Sequence, residues 1–206
     1  MVFITPNSER TMGTYLGASE MLEFSRDFPA IVNNSKILFT EGYQFTSDQN
    51  FKAFISVLEN TNPSVKIALS LSDPFVVSNF KSRFDEVFSH RLIDYVFCNK
   101  EEAIAMAGEN FIEGLNRISK NFVVTDGANT SVISEEGTIS EVDAYKVKAI
   151  DSNGAGDIYA GSVLHKIVQG KNFKNACEFG NYASSIIVQE KSPRLSVEGY
   201  KICMNN

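Results

Sequence analysis

The segment Asp151-Ser-Asn-Gly-Ala-Gly-Asp157 sets two carboxylates at the ends of a loop with almost no side chains, and the apolar run IYAGSVLHKIV follows at once. Two glycines within three residues let a backbone turn sharply and let another molecule approach its amides. The apolar run predicts a helix that starts where those amides are free. Such a start presents unpaired N–H groups and the positive end of a dipole, a ready anion site. A cap by Ser152 or Asn153 would explain the loop as structure alone. It would not explain Asp157, which stands in the first turn and competes with any bound anion. A transferred phosphoryl group uses both features: amides hold developing charge, and a carboxylate accepts the attacking hydroxyl's proton. A dinucleotide site for hydride transfer fits poorly, because no third glycine follows Gly154 and Gly156 at the required place.

Asn99-Lys-Glu-Glu102 supports two readings equally. Asn at a helix start with Glu three residues on makes a capping box, and the same oxygens at the end of a strand could hold magnesium directly or through water. Thr125-Asp-Gly-Ala-Asn129 reads by itself as a turn. Glu41-Gly-Tyr43 and Arg10-Thr-Met12 say little in isolation, although an arginine near a phosphate would form a bidentate clamp. His90 and His165 have no metal-like companion.

These residues need strands and helices to position them. Short apolar runs at 36–43, 65–71, 94–99 and 121–127 end in polar or glycine residues and read as buried strands. Between them, 48–60, 73–90 and 101–119 repeat apolar residues at three and four, as crossover helices do. The alternation predicts a parallel sheet covered on both faces, with ligands outside the carboxyl ends of the strands. Residues 130–145 read as a hairpin on the sheet edge, turning at Glu-Gly. Helices are expected over 155–168 and 173–189, the second with Phe173, Ala176, Cys177, Gly180, Ser184 and Ile187 on one face. The chain opens directly on an apolar strand-like run, Met1 to Thr5, as if in the middle of a domain.

With 206 residues, 43% hydrophobic, one domain with a sizeable core is expected. The net charge of −6, without long runs of either sign, argues against nucleic acid and anionic membrane as partners. Three widely spaced cysteines signal neither a disulfide framework nor a zinc cluster, which fits a cytoplasmic protein. No apolar run approaches the roughly 20 residues of a membrane span, and no basic-then-apolar leader opens the chain.

DSNGAGDIYAG resembles the second signature of the ribokinase-like, PfkB-type sugar and nucleoside kinases, D-T-x-G-A-G-D followed by an aromatic residue and glycines. The order of motifs is similar too: N-x-x-E at Asn99 and Glu102, T-x-G at Thr125 and Gly127, the GAGD loop, then Asn-Tyr-Ala-Ser at 181–184. ERTMGTYLGAS at 9–19 and TEGY at 40–43 resemble the adenosine-kinase-like branch. The resemblance covers nearly the whole chain and implies a three-layer α/β/α fold with a mainly parallel sheet, residues 1–206 forming one partial domain incomplete at its amino terminus. It implies an ATP-dependent phosphotransferase acting on a primary hydroxyl of a nucleoside or sugar, adenosine-like first. The alternative is a nucleotide-binding fragment or regulatory remnant that transfers nothing.

In that resemblance Asp157 is the catalytic base, Gly154, Ala155 and Gly156 form the anion hole, and Arg10 reaches the phosphoryl region. Asn99 and Glu102 organise magnesium and phosphate, while Thr125, Gly127, Asn153 and Asn181 lie near ATP. Asp151 serves a monovalent-cation site, such as one for potassium, of the kind some members have. Ser152 replaces the usual Thr, Asn129 stands where a second glycine often follows T-x-G, and Ser192-Pro-Arg194 stands where many members have Gly-Ala. The family's amino-terminal segment, with its first strands, lid and substrate motif, has no counterpart in this sequence, so a truncated and inactive chain is expected. A homodimer is among the assemblies the resemblance allows.

Overall fold

The computed structural model describes residues 2–4, 10–23 and 27–205, with the backbone alone for 2–4 and 10–12. Two short strands, β1 (Val2–Ile4) and β2 (Arg10–Met12), form an antiparallel ribbon separate from the main sheet. The run that opens the chain is thus a strand, but not a strand of the sheet that carries the core. After a 3₁₀ turn at Gly17–Glu20 come α1 (Phe28–Asn33), β3 (Ile37–Glu41), a second 3₁₀ turn at Gly42–Thr46, α2 (Asp48–Glu59) and β4 (Lys66–Ser70). Then follow α3 (Pro74–Asn79), α4 (Lys81–His90), β5 (Ile93–Asn99), α5 (Lys100–Ala107), α6 (Phe111–Ile118) and β6 (Ser119–Thr125). The edge hairpin β7 (Ser131–Glu135) and β8 (Thr138–Val142) precedes α7 (Ala155–Val168), α8 (Phe173–Ile187) and α9 (Val197–Met204).

The six strands from β3 to β8 lie side by side in chain order; β3 to β6 are parallel, and the hairpin is antiparallel. Successive side chains of a strand face opposite sides, and here both sides are covered. Ile67 and Leu69 of β4, Val96 and Cys98 of β5, and Phe122 and Val124 of β6 enter one core with Phe45, Phe54, Phe84 and Leu115. Ala68, Phe97 and Val123 enter a second core with Tyr159, Val163, Phe173 and Cys177 from α7 and α8. This double burial is why the strands read as continuous apolar runs.

Two expected crossover helices are each broken in two. Residues 101–119 form α5 and α6 because Gly108, at φ +78°, ends α5 with its N–H on the Ile104 carbonyl. Residues 73–90 break at Phe80, whose backbone (φ −120°, ψ 22°) leaves the helical region. On α8, Ser184 is only half-buried, and the fully covered face instead takes in Asn181, Ala183 and Ser185.

At the amino edge of the sheet, the almost wholly buried Asp94 ties three strands together. It accepts from the Ile67 amide (2.9 Å), Lys120 Nζ (2.8 Å), Lys66 Nζ (3.2 Å) and Arg91 Nη2 (3.4 Å). Burial alone would raise its pKa; the bonds from Lys120, Ile67 and Lys66 outweigh this and hold it below the ordinary value. Among the described residues no helix is long and apolar enough to cross a membrane.

Candidate active site

Asn99 and Thr125 end strands β5 and β6 at the carboxyl edge of the sheet, and Glu102 and Asp157 lie in the first turns of α5 and α7. Gly154 is the N-cap of α7 and adopts a left-handed backbone (φ +76°, ψ 0°). A Cβ there would sit 2.2 Å from the Pro193 carbonyl oxygen, so backbone strain and close packing both require glycine. Upstream, the loop is pinned by the Ile150 and Asp151 amides, which donate to the Val188 carbonyl at the end of α8 (2.6 and 3.2 Å). Asp151 Oδ1 accepts from the Asn153 amide (2.9 Å), closing an Asx turn.

The N-cap position of α7 is a glycine, so no side chain at that position satisfies the first amides of the helix. The Ala155 amide donates to the Ser152 carbonyl at 3.3 Å. Gly156 and Asp157 are exposed, and a Cβ at Gly156 would meet nothing within 4 Å. The open part of this helix start is therefore around Gly156 and Asp157. A dipole end with space in front of it and a carboxylate beside it suits an anion whose transfer releases a proton.

Asn99 and Glu102 form a complete capping box. Asn99 Oδ1 accepts from the Glu102 amide (2.8 Å), Glu102 Oε2 accepts from the Asn99 amide (3.1 Å), and Glu102 Oε1 accepts from Asn99 Nδ2 (2.7 Å). Glu102 is 6% exposed. Burial pushes its pKa from the ordinary 4.5 up to about 7, the Asn99 amide acting against this and Asp73 and Glu101 adding to it.

Thr125 closes β6 and donates from Oγ1 to the Cys98 carbonyl (3.4 Å), while Gly127 lies in the turn closed by the Asn129 amide on the Asp126 carbonyl (2.9 Å). Buried Asn181 donates from Nδ2 to the carbonyls of Val142 (3.3 Å) and Asp143 (3.0 Å), binding α8 to the segment that leads into the glycine loop. Arg10 lies on β2, and its side chain is outside the described residues.

Three residues at this edge, Glu41, Tyr43 and Asp73, have no role assigned from the sequence. Glu41 ends β3 half-buried, its pKa raised first by burial and then by the charge of Asp157. The Tyr43 hydroxyl is likewise pushed up by burial and then by Asp73, Glu102, Glu41 and Asp157, so one phenol feels carboxylates from the ends of β3, β4 and β5 and the start of α7. Tyr43 Oη donates to the Ser72 carbonyl (3.3 Å), and Ser72 holds a strained positive φ of 73° beside Asp73. Glu41 and Tyr43 share the TEGY run, and it is spatial convergence that sets them beside Asp73. Among the described residues no group of three or more His, Cys, Asp or Glu could hold a metal ion by itself. A cleft of about 460 Å³ lies at the opposite, amino edge, lined by Tyr95, Asn121, Glu135 and Phe173, and contains none of the candidate residues.

A family model described as "pfkB family carbohydrate kinase" matches residues 1–199. Adenosine kinase 1 of Arabidopsis thaliana is 26% identical over 179 residues, 78% of this chain and 51% of its own length. The crystal structure of adenosine kinase from Sinorhizobium meliloti superposes with a TM-score of 0.90 at 28% identity, covering all of this chain and 64% of that one. A probable sugar kinase from Rhizobium etli gives a TM-score of 0.87 at 27% identity, again covering 100% and 64%. The chain thus spans about half the length of the Arabidopsis relative and less than two thirds of these solved neighbours. The match runs from the ribbon through the sheet, the glycine loop and α8, and with it the chain belongs to the pfkB family of carbohydrate kinases.

Proposed function

We propose that the protein takes part in ATP-dependent phosphorylation of a primary hydroxyl on a nucleoside or sugar, with an adenosine-like nucleoside as the first acceptor to test. The observation that carries this reading is the uncapped start of α7, where exposed Asp157 stands beside open amides while every neighbouring strand end sends a polar or acidic residue to the same edge. The similarity to two adenosine kinases supports the nucleoside, and the similarity to a sugar kinase keeps a sugar open.

In the reaction the acceptor oxygen forms a bond to the γ-phosphorus as the bond from that phosphorus to the ADP oxygen breaks. The Gly154–Gly156 backbone holds the charge that develops on the transferring group. Asp157 takes the acceptor's proton, which in a loose transition state is released late, so a weakly basic carboxylate suffices. Thr125, Gly127, Asn153 and Asn181 border the nucleotide, and Arg10 approaches the phosphoryl group. Hard oxygen donors at this edge suit magnesium, but among the described residues too few converge to hold it alone. Magnesium would arrive on the nucleotide phosphates, neutralising their charge, with Asn99 and Glu102 organising it and Asp151 serving a monovalent cation.

A second reading, nucleotide binding without transfer, is favoured by one fact: the chain covers only 51–64% of these relatives. Calorimetry with MgATP and coupled ADP release on adenosine, inosine, ribose and fructose separate the two. Binding with acceptor-dependent ADP release identifies a kinase within these 206 residues. Weak binding without release, the result expected of this chain alone, supports the second reading, and absence of MgATP binding at millimolar nucleotide overturns both.

A further inference from the structure

Asn153 is the one asparagine of the chain that is followed by glycine. The pair matters chemically, because the backbone nitrogen after an asparagine can attack that asparagine's own side chain, and a glycine there brings no Cβ to obstruct the approach. Two structural features leave this attack open. Asn153 is only partly buried, and among the described residues its side chain makes no hydrogen bond that would hold it away. The Gly154 amide likewise donates to no described group, whereas the amides on either side of it are engaged: that of Asn153 with Asp151 Oδ1 (2.9 Å), and that of Ala155 with the Ser152 carbonyl (3.3 Å). The free N–H that suits an anion is therefore also the nucleophile nearest the Asn153 side chain in sequence.

We propose that Asn153–Gly154 is a site of spontaneous covalent modification that closes the glycine loop to anions. The Gly154 nitrogen bonds to Asn153 Cγ, the Cγ–Nδ2 bond breaks, and the amide proton leaves with that nitrogen as ammonia, which gives a succinimide ring. Water then opens the ring, at Cγ to give aspartate or at the main-chain carbonyl to give isoaspartate at position 153. Either product sets a further carboxylate between Asp151 and Asp157, beside amides that would otherwise attract an anion. Isoaspartate also lengthens the main chain by one atom just before Gly154, where a Cβ would already stand 2.2 Å from the Pro193 carbonyl oxygen. A phosphate seated on the Gly154 amide occupies the N–H that must attack, so bound nucleotide slows the reaction. That protection rests on the function proposed above; the modification itself does not.

The test is to incubate the purified 206-residue chain in mildly alkaline buffer and follow position 153 by peptide mass spectrometry, isoaspartate by enzymatic methylation, and the chain itself by MgATP calorimetry and thermal unfolding. Conversion at position 153 should run at least about tenfold ahead of the other internal asparagines, since each of those precedes a residue with a side chain. MgATP affinity and melting temperature should fall in step with it. Asn153→Gln, whose longer side chain must close a larger ring, should hold whatever affinity and melting temperature it starts with over the same incubation. MgATP at ten times its dissociation constant should slow conversion about tenfold. The modification is overturned if Asn153 persists while other asparagines convert, or if its conversion changes neither affinity nor melting temperature. Bound MgATP that leaves the rate unchanged overturns the protection. A chain that converts at position 153 and loses melting temperature without ever binding MgATP upholds the modification and fails the function proposed above.

Discussion

Two helices begin at the carboxyl edge of the sheet, and they begin in opposite ways. α5 is closed by its own side chains: Asn99 and Glu102 satisfy one another and the first-turn amides, and Glu102 is buried. α7 begins at a left-handed glycine with no side-chain cap, its next residues exposed and the space above Gly156 empty. A helix start that is finished internally adds stability, whereas one left open can spend its dipole on a ligand. The difference separates scaffold from candidate chemistry more sharply than residue type does, since both starts carry acids.

The largest test of that contrast is Asp157→Asn in a form of the protein that turns over. ADP release should fall about 10²–10⁴-fold while melting temperature and MgATP affinity hold, because only proton acceptance is lost. Turnover within a few-fold of the parent would remove Asp157 from the role of base.

Next comes a pair of glycines. Gly154→Ala should destabilise by about 3 kcal/mol, adding left-handed strain to a clash with the Pro193 carbonyl. Gly156→Ala should leave stability equal or raised by about 0.5 kcal/mol and still weaken MgATP binding, as its methyl group fills the space in front of the amides. Thermal unfolding and calorimetry on both variants read the contrast directly. Equal stability loss at both positions would mean that the loop is packing alone.

Glu102 tests the closed helix start through pH. The unfolded carboxyl releases its proton near 4.5 and the folded one near 7. The stability this proton provides is present below pH 4.5 and is lost as pH rises through about 7, by up to about 3 kcal/mol. Urea unfolding at pH 5 and pH 8 should show the loss in the parent and not in Glu102→Gln. If Glu102 also organises magnesium, the same variant will need more magnesium for turnover; an unchanged requirement leaves it a capping residue. The smallest effect is expected of Asn99→Ala, which removes the cap and the side-chain donor to Glu102 and should cost about 1–2 kcal/mol in the same unfolding experiment.

What could be foreseen from sequence follows how local each signal is. The strands β4 to β6 were legible because burial on both faces leaves uninterrupted apolar runs, and α7 because a glycine loop and an apolar period meet at its start. The splits at Gly108 and Phe80 were missed, since apolar spacing continues across both breaks while the backbone does not. That Glu41 and Tyr43 of the TEGY run meet Asp73 was illegible for a different reason. Their meeting depends on parallel strands ending in register, which pairs Glu41 with Ser70 and Asn99 with Thr125 across the sheet, and no window of sequence contains that registration.

The division of the interior into two cores also sets an order for synthesis. The first core, with the Asp94 clamp beneath it, draws only on residues between Leu38 and Val132, so everything it needs is synthesised before α7. The second face of the sheet has to wait for Tyr159 to Cys177. Chains emerge amino end first at about 5–20 residues per second, so for several seconds Ala68, Phe97 and Val123 face water on a sheet otherwise ready to fold. Asp157 arrives with the same late segment that covers this face, and the nascent protein therefore gains its candidate chemistry and loses its stickiest surface in one step.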